Sequence, residues 1–263
     1  MRVLVTVSYL GTRYVGWQFQ ENGPSVQAAL EEALRQAVGT PIRVTGASRT
    51  DAGVHALGQM AHFDTQSSIP PERYPFVLNR YLPQDIRVLQ GQAVPDDFHA
   101  RFKAAGKTYT YRFYNAPHIS ALALPTSCHV PLPMDAHRMH EAAQVLLGEH
   151  DFAGFAAAGG QTKTTVRTLM EAKVERNGPA VTFTVTGSGF LYNMVRIIAG
   201  TLVYIGQGRL SADAFSDALR TGSRLCLGPT APPEGLELTR VFYDPVWQVR
   251  DLALNQKGAN HDE

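Results

Sequence analysis

The sequence predicts an α+β protein made of two similar halves, and three observations lead to this fold class. Short segments with alternating apolar and polar residues, typical of strands, lie between segments whose apolar residues recur at helical spacing. A similar order of elements recurs in the second half of the 263-residue chain, from Phe98 onwards. The longest apolar run, residues 197–205, is too short to span a bilayer.

The first half combines four predicted strands with two predicted helices. A helix over residues 25–38 starts at Ser25, a common N-cap residue, and carries Val26, Leu30 and Leu34 on one face. A loop punctuated by glycines separates the second strand from the third. The other elements are strands over residues 3–9, 42–45, 60–63 and 86–93 and a short helix over residues 75–81.

The second half reuses these parts, so each half is expected to be a ferredoxin-like unit with an antiparallel sheet and helices on its outer face. No direct sequence repeat accompanies the recurrence. Residues 1–97 and 98–250 are predicted to form the two halves, and the polar tail, residues 251–263, is predicted to be disordered. The predicted elements are strands over residues 108–114, 166–175, 181–186 and 236–243, a turn at 177–179, and helices over residues 136–147, 193–204 and 212–219 with caps at Asp135 and Ser211.

Net charge is only +1, which by itself gives no support to a nucleic-acid partner. The charge is unevenly placed, however. Residues 98–134 contain no Asp or Glu but include Arg101, Lys103, Lys107 and Arg112, and residues 176–212 are also free of acids. Two interpretations remain open: a local basic surface that attracts a polyanion, or buried strands from which acids are excluded.

Cysteine usage and the N-terminus predict a cytoplasmic protein. Cys128 and Cys226 lie far apart without CxxC spacing, which indicates neither a disulfide scaffold nor a zinc site. The first residues already alternate as a strand rather than forming a signal peptide. No membrane partner is expected.

Residues 47–56, Ala-Ser-Arg-Thr-Asp-Ala-Gly-Val-His-Ala, place an arginine, a carboxylate and a histidine in one loop between two strands. A carboxylate beside a cation stays ionised and can act as a nucleophile or base, which makes Asp51 the candidate catalytic residue. The alternative is an Asx-turn in which Asp51 binds backbone amides. A metal site with His55 and His62 lacks further ligands at a recognisable spacing. A Ser48–His55 hydrolase pair lacks the G-x-S-x-G elbow.

Residues Arg49 to Ala56 resemble the GRTDAGVHA signature of the tRNA pseudouridine synthase A (TruA) family, with eight consecutive matches. The resemblance implies a pseudouridine-synthase core and makes Asp51 the nucleophile. Ser48 stands where the family usually has glycine, and a positive φ there would strain it. Three further segments resemble the family in the same order: Phe98–Phe102 with Gly106–Tyr111, Gly189–Arg196, and Leu227–Leu236.

The resemblance also implies the roles of other residues. Tyr109 corresponds to the tyrosine that stacks on the target base, and Arg196 to the arginine that pairs with the carboxylate. Arg49 corresponds to the arginine that helps to extrude the base, and the basic Arg101 and Lys107 are expected to bind RNA. Two alternatives stay open: Tyr109 as a core residue and Arg49 as a backbone-capping residue.

The implied activity is isomerisation of uridine to pseudouridine at positions 38, 39 and 40 of the tRNA anticodon arm, by a homodimer without metal or organic cofactor. The target base must leave its helix to react. Whether Asp51 attacks C1′ or removes the 2′ proton is left open. The rivals are an inert RNA-binding module of the same fold and a related enzyme acting on another RNA; the presence of Asp51, Tyr109 and Arg196 together favours the enzyme.

Overall fold

The computed structural model describes residues 1–160, 162–247 and 249. Within these residues the protein has a mixed α+β fold with one ten-stranded sheet. The strands are β1 (Arg2–Tyr9), β2 (Thr45–Gly46), β3 (His55–Asp64), β4 (Ile86–Val94), β5 (Ala104–Tyr114), β6 (Cys128–His129), β7 (Gly148–Asp151), β8 (Val166–Asn177), β9 (Ala180–Gly187) and β10 (Leu236–Tyr243). The α-helices are α1 (Val26–Val38), α2 (Tyr74–Leu78), α3 (Ala136–Ala143), α4 (Met194–Gly206) and α5 (Ala214–Thr221).

The two halves of the chain arrange their strands in the same spatial order. In the first half the order is β4-β1-β3, with β2 paired to β3, and all neighbours are antiparallel. In the second half the order is β10-β5-β9-β8, again antiparallel throughout. Strand β7 extends the edge beyond β8, and β6 forms a short parallel pair with β5. Without β6 and β7, each half has four strands. In each half the first of these four strands in the chain, β1 or β5, lies between the fourth and the third.

The halves join in the middle of the sheet, where β10 runs parallel to β3 and antiparallel to β5. The parallel register pairs Glu237 with His55 and Leu238 with Ala56. Because β3 begins at His55, directly after the loop that carries Asp51, this junction places that loop against the second half of the protein.

Several predicted elements are confirmed with their local causes. Ser25 caps α1 by accepting a hydrogen bond from the amide of Ala28, and the helix ends at Gly39, whose φ of 79° is left-handed. Strand β10 has the predicted bounds. Strands β8 and β9 form the predicted hairpin, with Asn177 paired to Ala180 across the turn.

The predicted strand over residues 42–45 is wrong, since only Thr45–Gly46 joins the sheet. Side chains of α1 bind the backbone just before β2 instead. Glu31 accepts a hydrogen bond from the amide of Val44, and Gln27 donates one to the carbonyl of Val44. Val44 is buried, so its apolar character is satisfied by packing rather than by pairing with a strand.

Two predicted helices end earlier than expected. The helix predicted over residues 75–81 ends at Leu78, and Asn79 then forms two side-chain hydrogen bonds to the backbone of Val88 on β4. Helix α3 is capped by Asp135 as predicted but ends at Ala143, where Gln144 turns to bind the carbonyl of Ala172.

The cap predicted for α5 is wrong. The helix begins at Ala214, two residues later than predicted, and the hydroxyl of Ser211 binds the amide of Asp213 in the turn before it. The predicted disordered tail lies outside the described residues. Within the described part of the chain, no helix is long and apolar enough to cross a bilayer.

Candidate active site

A cleft of about 890 Å³ brings together residues from both halves of the protein. Its lining includes most of the loop 47–54, two side chains of β5, and residues 190–195 at the start of α4. Five of the six predicted site residues line this cleft: Arg49, Asp51, Arg101, Lys107 and Tyr109. The sixth, Arg196, approaches it through Asp51.

The loop that carries Asp51 is fixed by its own main chain. Four hydrogen bonds hold it, from Ala47 N to Met60 O, Trp17 N to Thr50 O, Gly53 N to Tyr14 O, and Val54 N to Asp51 O. Gly16 lets the neighbouring segment approach this closely: its φ is 117°, and a β-carbon there would lie 2.6 Å from the carbonyl oxygen of Thr50. The loop is therefore positioned before any substrate arrives.

Asp51 is the only acidic side chain among the described residues that line the cleft. Its side chain is 26% exposed, and its Oδ2 lies 3.8 Å from Nη1 of Arg196. Burial raises the pKa of the Asp51 carboxyl above its usual range, and the positive charge of Arg196 offsets this rise only in part. The prediction that a nearby cation lowers this pKa does not describe the net shift, because desolvation outweighs a cation at this distance. In the described part of the chain the carboxylate accepts no backbone hydrogen bond, so it does not form the alternative Asx-turn.

Arg196 is oriented by two hydrogen bonds of its own. Its Nε donates to the carbonyl of Ala231 over 2.8 Å, and its Nη1 donates to Oδ1 of Asn193 over 2.9 Å. Asn193 precedes α4 with a φ of 59°, the one positive value found for a non-glycine residue in the described chain. This conformation costs on the order of 1–3 kcal/mol. The Asn193 side chain contacts Arg196 instead of capping the helix.

Tyr109 lies on β5 with its hydroxyl in the cleft and 7% of its surface exposed. The ring packs edge-to-face on Phe190, with centroids 5.2 Å apart, and the hydroxyl lies 2.8 Å from Oγ of Ser48. Burial raises the pKa of Tyr109 to about 12, against a smaller opposing effect of the hydrogen bond to Ser48. The phenol is therefore protonated at neutral pH. The tyrosine is buried as a core residue would be, yet it lines the cleft.

Ser48 connects Tyr109 to Lys107, whose Nζ lies 3.4 Å from the Ser48 hydroxyl and donates to the carbonyl of Ala47 over 2.8 Å. The buried amide of Gln59 binds both backbone groups of Ser48 and so fixes this position. Burial, and secondarily the charge of Arg101, lower the pKa of Lys107 to about 8. Ser48 does not have a positive φ, so the strain considered for a residue in place of glycine does not arise.

Arg49 and Arg101 are exposed at the edge of the cleft, and their guanidinium groups form no hydrogen bond or ion pair within the described residues. Arg49 is thus not a backbone-capping residue. Arg112, from the same acid-free run as Arg101, binds Glu237 over 3.0 Å and is already neutralised. We call Asp51, Tyr109 and Arg196 the floor of the cleft, and Arg49 and Arg101 its rim.

His55 serves the scaffold rather than the chemistry. Its Nδ1 accepts a hydrogen bond from the amide of Gly11 over 2.9 Å, and its Nε2 lies 3.2 Å from the carbonyl oxygen of Glu234. The ring is therefore the neutral Nε2–H tautomer and binds two loops together. Across the described residues, no three His, Cys, Asp or Glu side chains form a group suited to a metal ion.

The sequence is similar to proteins of one known family. The sequence profile described as tRNA pseudouridine synthase matches residues 5–103 and 142–244. The chain belongs to this family. Proteins called tRNA pseudouridine synthase A are similar over 92% of this chain and 99% of their own length: those of Ruminiclostridium cellulolyticum at 45% identity, and of Acetivibrio thermocellus and Rhodopseudomonas palustris at 46%.

Membership of the tRNA pseudouridine synthase family makes the chain one of a group of isomerases that act on tRNA. Arg49, Asp51, Arg101 and Arg196 lie in the two matched segments, whereas Lys107 and Tyr109 lie between them. The family resemblance read from the sequence is confirmed.

Sequence reasoning missed the residues that orient the floor. Ser48 was noted only as a departure from a motif, and neither Gln59 nor Asn193 was singled out. The contacts of Ser48 with Tyr109 and of Asn193 with Arg196 depend on side-chain direction. No periodicity or spacing indicates such contacts. The only available signal was that Ser48 and Asn193 are polar residues next to motif residues.

Proposed function

We propose that the protein isomerises uridine to pseudouridine at positions 38, 39 and 40 of the tRNA anticodon arm. The observation that carries this proposal is the floor of the cleft: one semi-buried carboxylate, Asp51, with Arg196 at 3.8 Å and Tyr109 in the same cleft. Family membership supports tRNA as the substrate. The position within tRNA rests on the motif resemblance.

The chemistry needs one ionised carboxylate in a dry, shaped site. The reaction breaks the bond between N1 of uracil and C1′ of ribose, joins C5 to C1′, and moves the C5 proton to the released N1, so no atom is gained or lost. Asp51 either attacks C1′ or removes the 2′ proton; both routes use its anionic form. Burial raises the pKa of Asp51, and the charge of Arg196 opposes this effect and so favours the anionic form.

The base must be flipped out to reach this floor, at a cost of roughly a few kcal/mol. Tyr109 is proposed to stack on the detached uracil, which is worth about 1–3 kcal/mol per base. Arg49, exposed and without a partner in the described residues, is proposed to occupy the space that the base leaves. Arg101 and Lys107 are proposed to bind phosphates beside the cleft.

The architecture proposed for this activity is two ferredoxin-like halves, residues 1–97 and 98–250, joined into one pseudouridine-synthase core. The repeated strand order, in which the first strand lies between the fourth and the third, supports it. A cytoplasmic homodimer is proposed from the family resemblance. Pairing would combine the basic surfaces of two chains whose individual net charge is only +1.

The test is incubation of the purified protein with an undermodified anticodon-arm transcript in EDTA, followed by mapping of pseudouridine by position. We expect conversion at positions 38–40 and none when these nucleotides are changed to cytidine. A parallel ribosomal RNA fragment tests the rival substrate. Conversion of that fragment alone would overturn the tRNA assignment, and binding without conversion of any RNA would favour an inert RNA-binding module.

A further inference from the structure

An exposed aromatic ring stands beside the rim of the cleft and is not used by the proposed chemistry. Phe102 is 75% exposed, although its ring stacks on that of His99 with centroids 4.2 Å apart and planes tilted by 30°. His99 in turn contacts His62 on β3, with centroids 4.9 Å apart. Three rings thus lead from the sheet to the surface, and most of the last one is exposed.

The backbone under this ring is fixed. The amides of Arg101 and Phe102 both donate to Nδ1 of His99, at 3.2 and 3.3 Å. The amide of Ala100 donates to Nδ1 of His62, and the carbonyl of Ala100 accepts from the hydroxyl of Tyr243. An exposed phenylalanine on such a support holds its ring in one place, so little conformational entropy is lost when a flat partner binds it.

Basic residues stand on both sides of Phe102 in the chain, and one of them, Arg101, lies beside its ring and reaches the cleft. The guanidinium carbon of Arg101 lies 5.9 Å from the Phe102 ring centroid, and Arg101 itself lines the cleft. The charge of Arg101 also acts on the amine of Lys107, which binds Ser48 next to Tyr109. Exposed Lys103 stands on the other side of Phe102 in the chain. A path of aromatic and basic groups therefore runs from Phe102 to the floor.

The histidines that support Phe102 are uncharged at neutral pH. Burial, followed by the neighbouring His99 and Arg2, lowers the pKa of His62 to about 4. Partial burial also lowers the pKa of His99. The positive charge at this surface consequently comes from Arg101, beside the Phe102 ring, and from Lys103, whose Nζ lies 4.7 Å from the centroid of the Trp247 ring.

We propose that Phe102 is a platform on which an unpaired base of the tRNA, other than the uridine being isomerised, stacks while Arg101 and Lys103 bind the adjacent phosphates. This inference rests on tRNA as the substrate. An aromatic face beside basic side chains is the arrangement that binds single-stranded nucleic acid. A second copy of the chain is the less fitting partner, because lysine, present here as Lys103, is depleted in protein interfaces.

The chain offers a matched control in Phe76 on α2. That ring is 73% exposed, with the guanidinium carbon of Arg73 5.8 Å from its centroid, which nearly reproduces the exposure and cation contact of Phe102. Phe76 does not line the cleft. Replacing either residue removes the same exposed side chain, and only Phe102 has the proposed role.

The experiment measures the dissociation constant and kcat of Phe102→Ala, Phe102→Trp and Phe76→Ala with an unmodified anticodon-arm transcript. We expect Phe102→Ala to weaken binding about 5- to 100-fold, as loss of one base–aromatic stack does, with kcat at saturating RNA nearly unchanged. Phe102→Trp should restore binding, and Phe76→Ala should match the wild type. With a two-stranded RNA duplex whose bases are all paired, Phe102→Ala should have no effect.

Three results would overturn the proposal. They are binding by Phe102→Ala within twofold of wild type, an equal loss of binding with the fully paired duplex, or a change of oligomeric state in light scattering, which would make Phe102 a contact between copies of the chain. Thermal unfolding of the variants checks that their fold is intact. If the wild type binds the transcript but forms no pseudouridine, the proposed function fails, while the ratio of dissociation constants still decides the role of Phe102.

Discussion

The floor and the rim of the cleft are built in opposite ways. Each floor side chain is held by neighbours: Tyr109 by Ser48 and Phe190, and Arg196 by Ala231 and Asn193. Asp51 sits on a loop fixed along its main chain. The rim arginines are exposed, and their guanidinium groups form no hydrogen bond or ion pair in the described part of the protein.

This difference indicates that the floor carries out the reaction and that the rim binds the RNA. A fixed, partly desolvated floor keeps its charges oriented before the reaction, so that no reorganisation is needed when charge develops. Exposed cations attract a polyanion over distances set by the salt concentration and adapt to its shape. Changes in the floor should therefore alter turnover, and changes at the rim should alter affinity.

The strongest test of this separation is Asp51→Asn, which keeps the shape of the side chain and removes its charge. We expect turnover to fall by at least about 10³-fold, as loss of a catalytic nucleophile does, with the dissociation constant for tRNA within several-fold of wild type. Single-turnover assays and filter binding measure the two quantities. Turnover near the wild-type rate would exclude Asp51 as the reacting group.

Replacement of Arg196 by Gln tests the electrostatics of the floor. Arg196 lowers the pKa of Asp51, so its loss should raise that pKa further and move the acid limb of the kcat/KM profile to higher pH. Turnover at neutral pH should fall by about 10²- to 10³-fold. Arg196→Lys keeps the charge and should move the limb less. An acid limb identical in all three proteins would show that Arg196 does not act on the reacting carboxylate.

A smaller effect is expected for Tyr109→Phe. The ring and its packing on Phe190 remain, so tRNA binding should stay within twofold of wild type. The hydrogen bond with Ser48 is lost, and kcat should fall about tenfold because the ring is less firmly placed. Ser48→Ala removes the same bond from the other side and serves as the matched variant. An unaltered rate in both would show that the tyrosine hydroxyl is dispensable.

The smallest effect on turnover is expected when Arg101 and Lys107 are both changed to Gln. Binding should weaken, and the slope of log affinity against log salt should become shallower by about two, one for each lost phosphate contact. The kcat at saturating tRNA should be nearly unchanged. The control is a variant in which Arg35 and Lys173 are both changed to Gln. It loses the same charge outside the cleft, where these residues pair with Glu32 and Glu175. An unchanged slope would place the RNA surface elsewhere.

The sequence was most informative where a structure depends on nearby residues. The cap at Ser25, the bounds of β10 and the β8–β9 hairpin follow from local periodicity and turn residues. It failed at residues 42–45, where side chains of the preceding helix α1 replaced a strand partner.

For the candidate site too, the sequence predicted the local features and missed those that depend on the assembled fold. The motif around Asp51 identified the loop, and the ion pair with Arg196 was expected. The direction of the Asp51 pKa was not, because it depends on how deeply the folded chain buries the carboxyl. The contacts of Ser48 and Asn193 likewise require the assembled cleft.

The position of β10 has a consequence for biosynthesis. This strand is the last in the described chain, yet it lies in the interior of the sheet between β3 and β5. While the polypeptide is still leaving the ribosome, β3 and β5 therefore expose unpaired edges that invite pairing with other chains. Once residues 236–243 have emerged, they pair with β5 between Ala104 and Tyr111 and with β3 at His55 and Ala56, and only then do β3 and β5 belong to one continuous sheet.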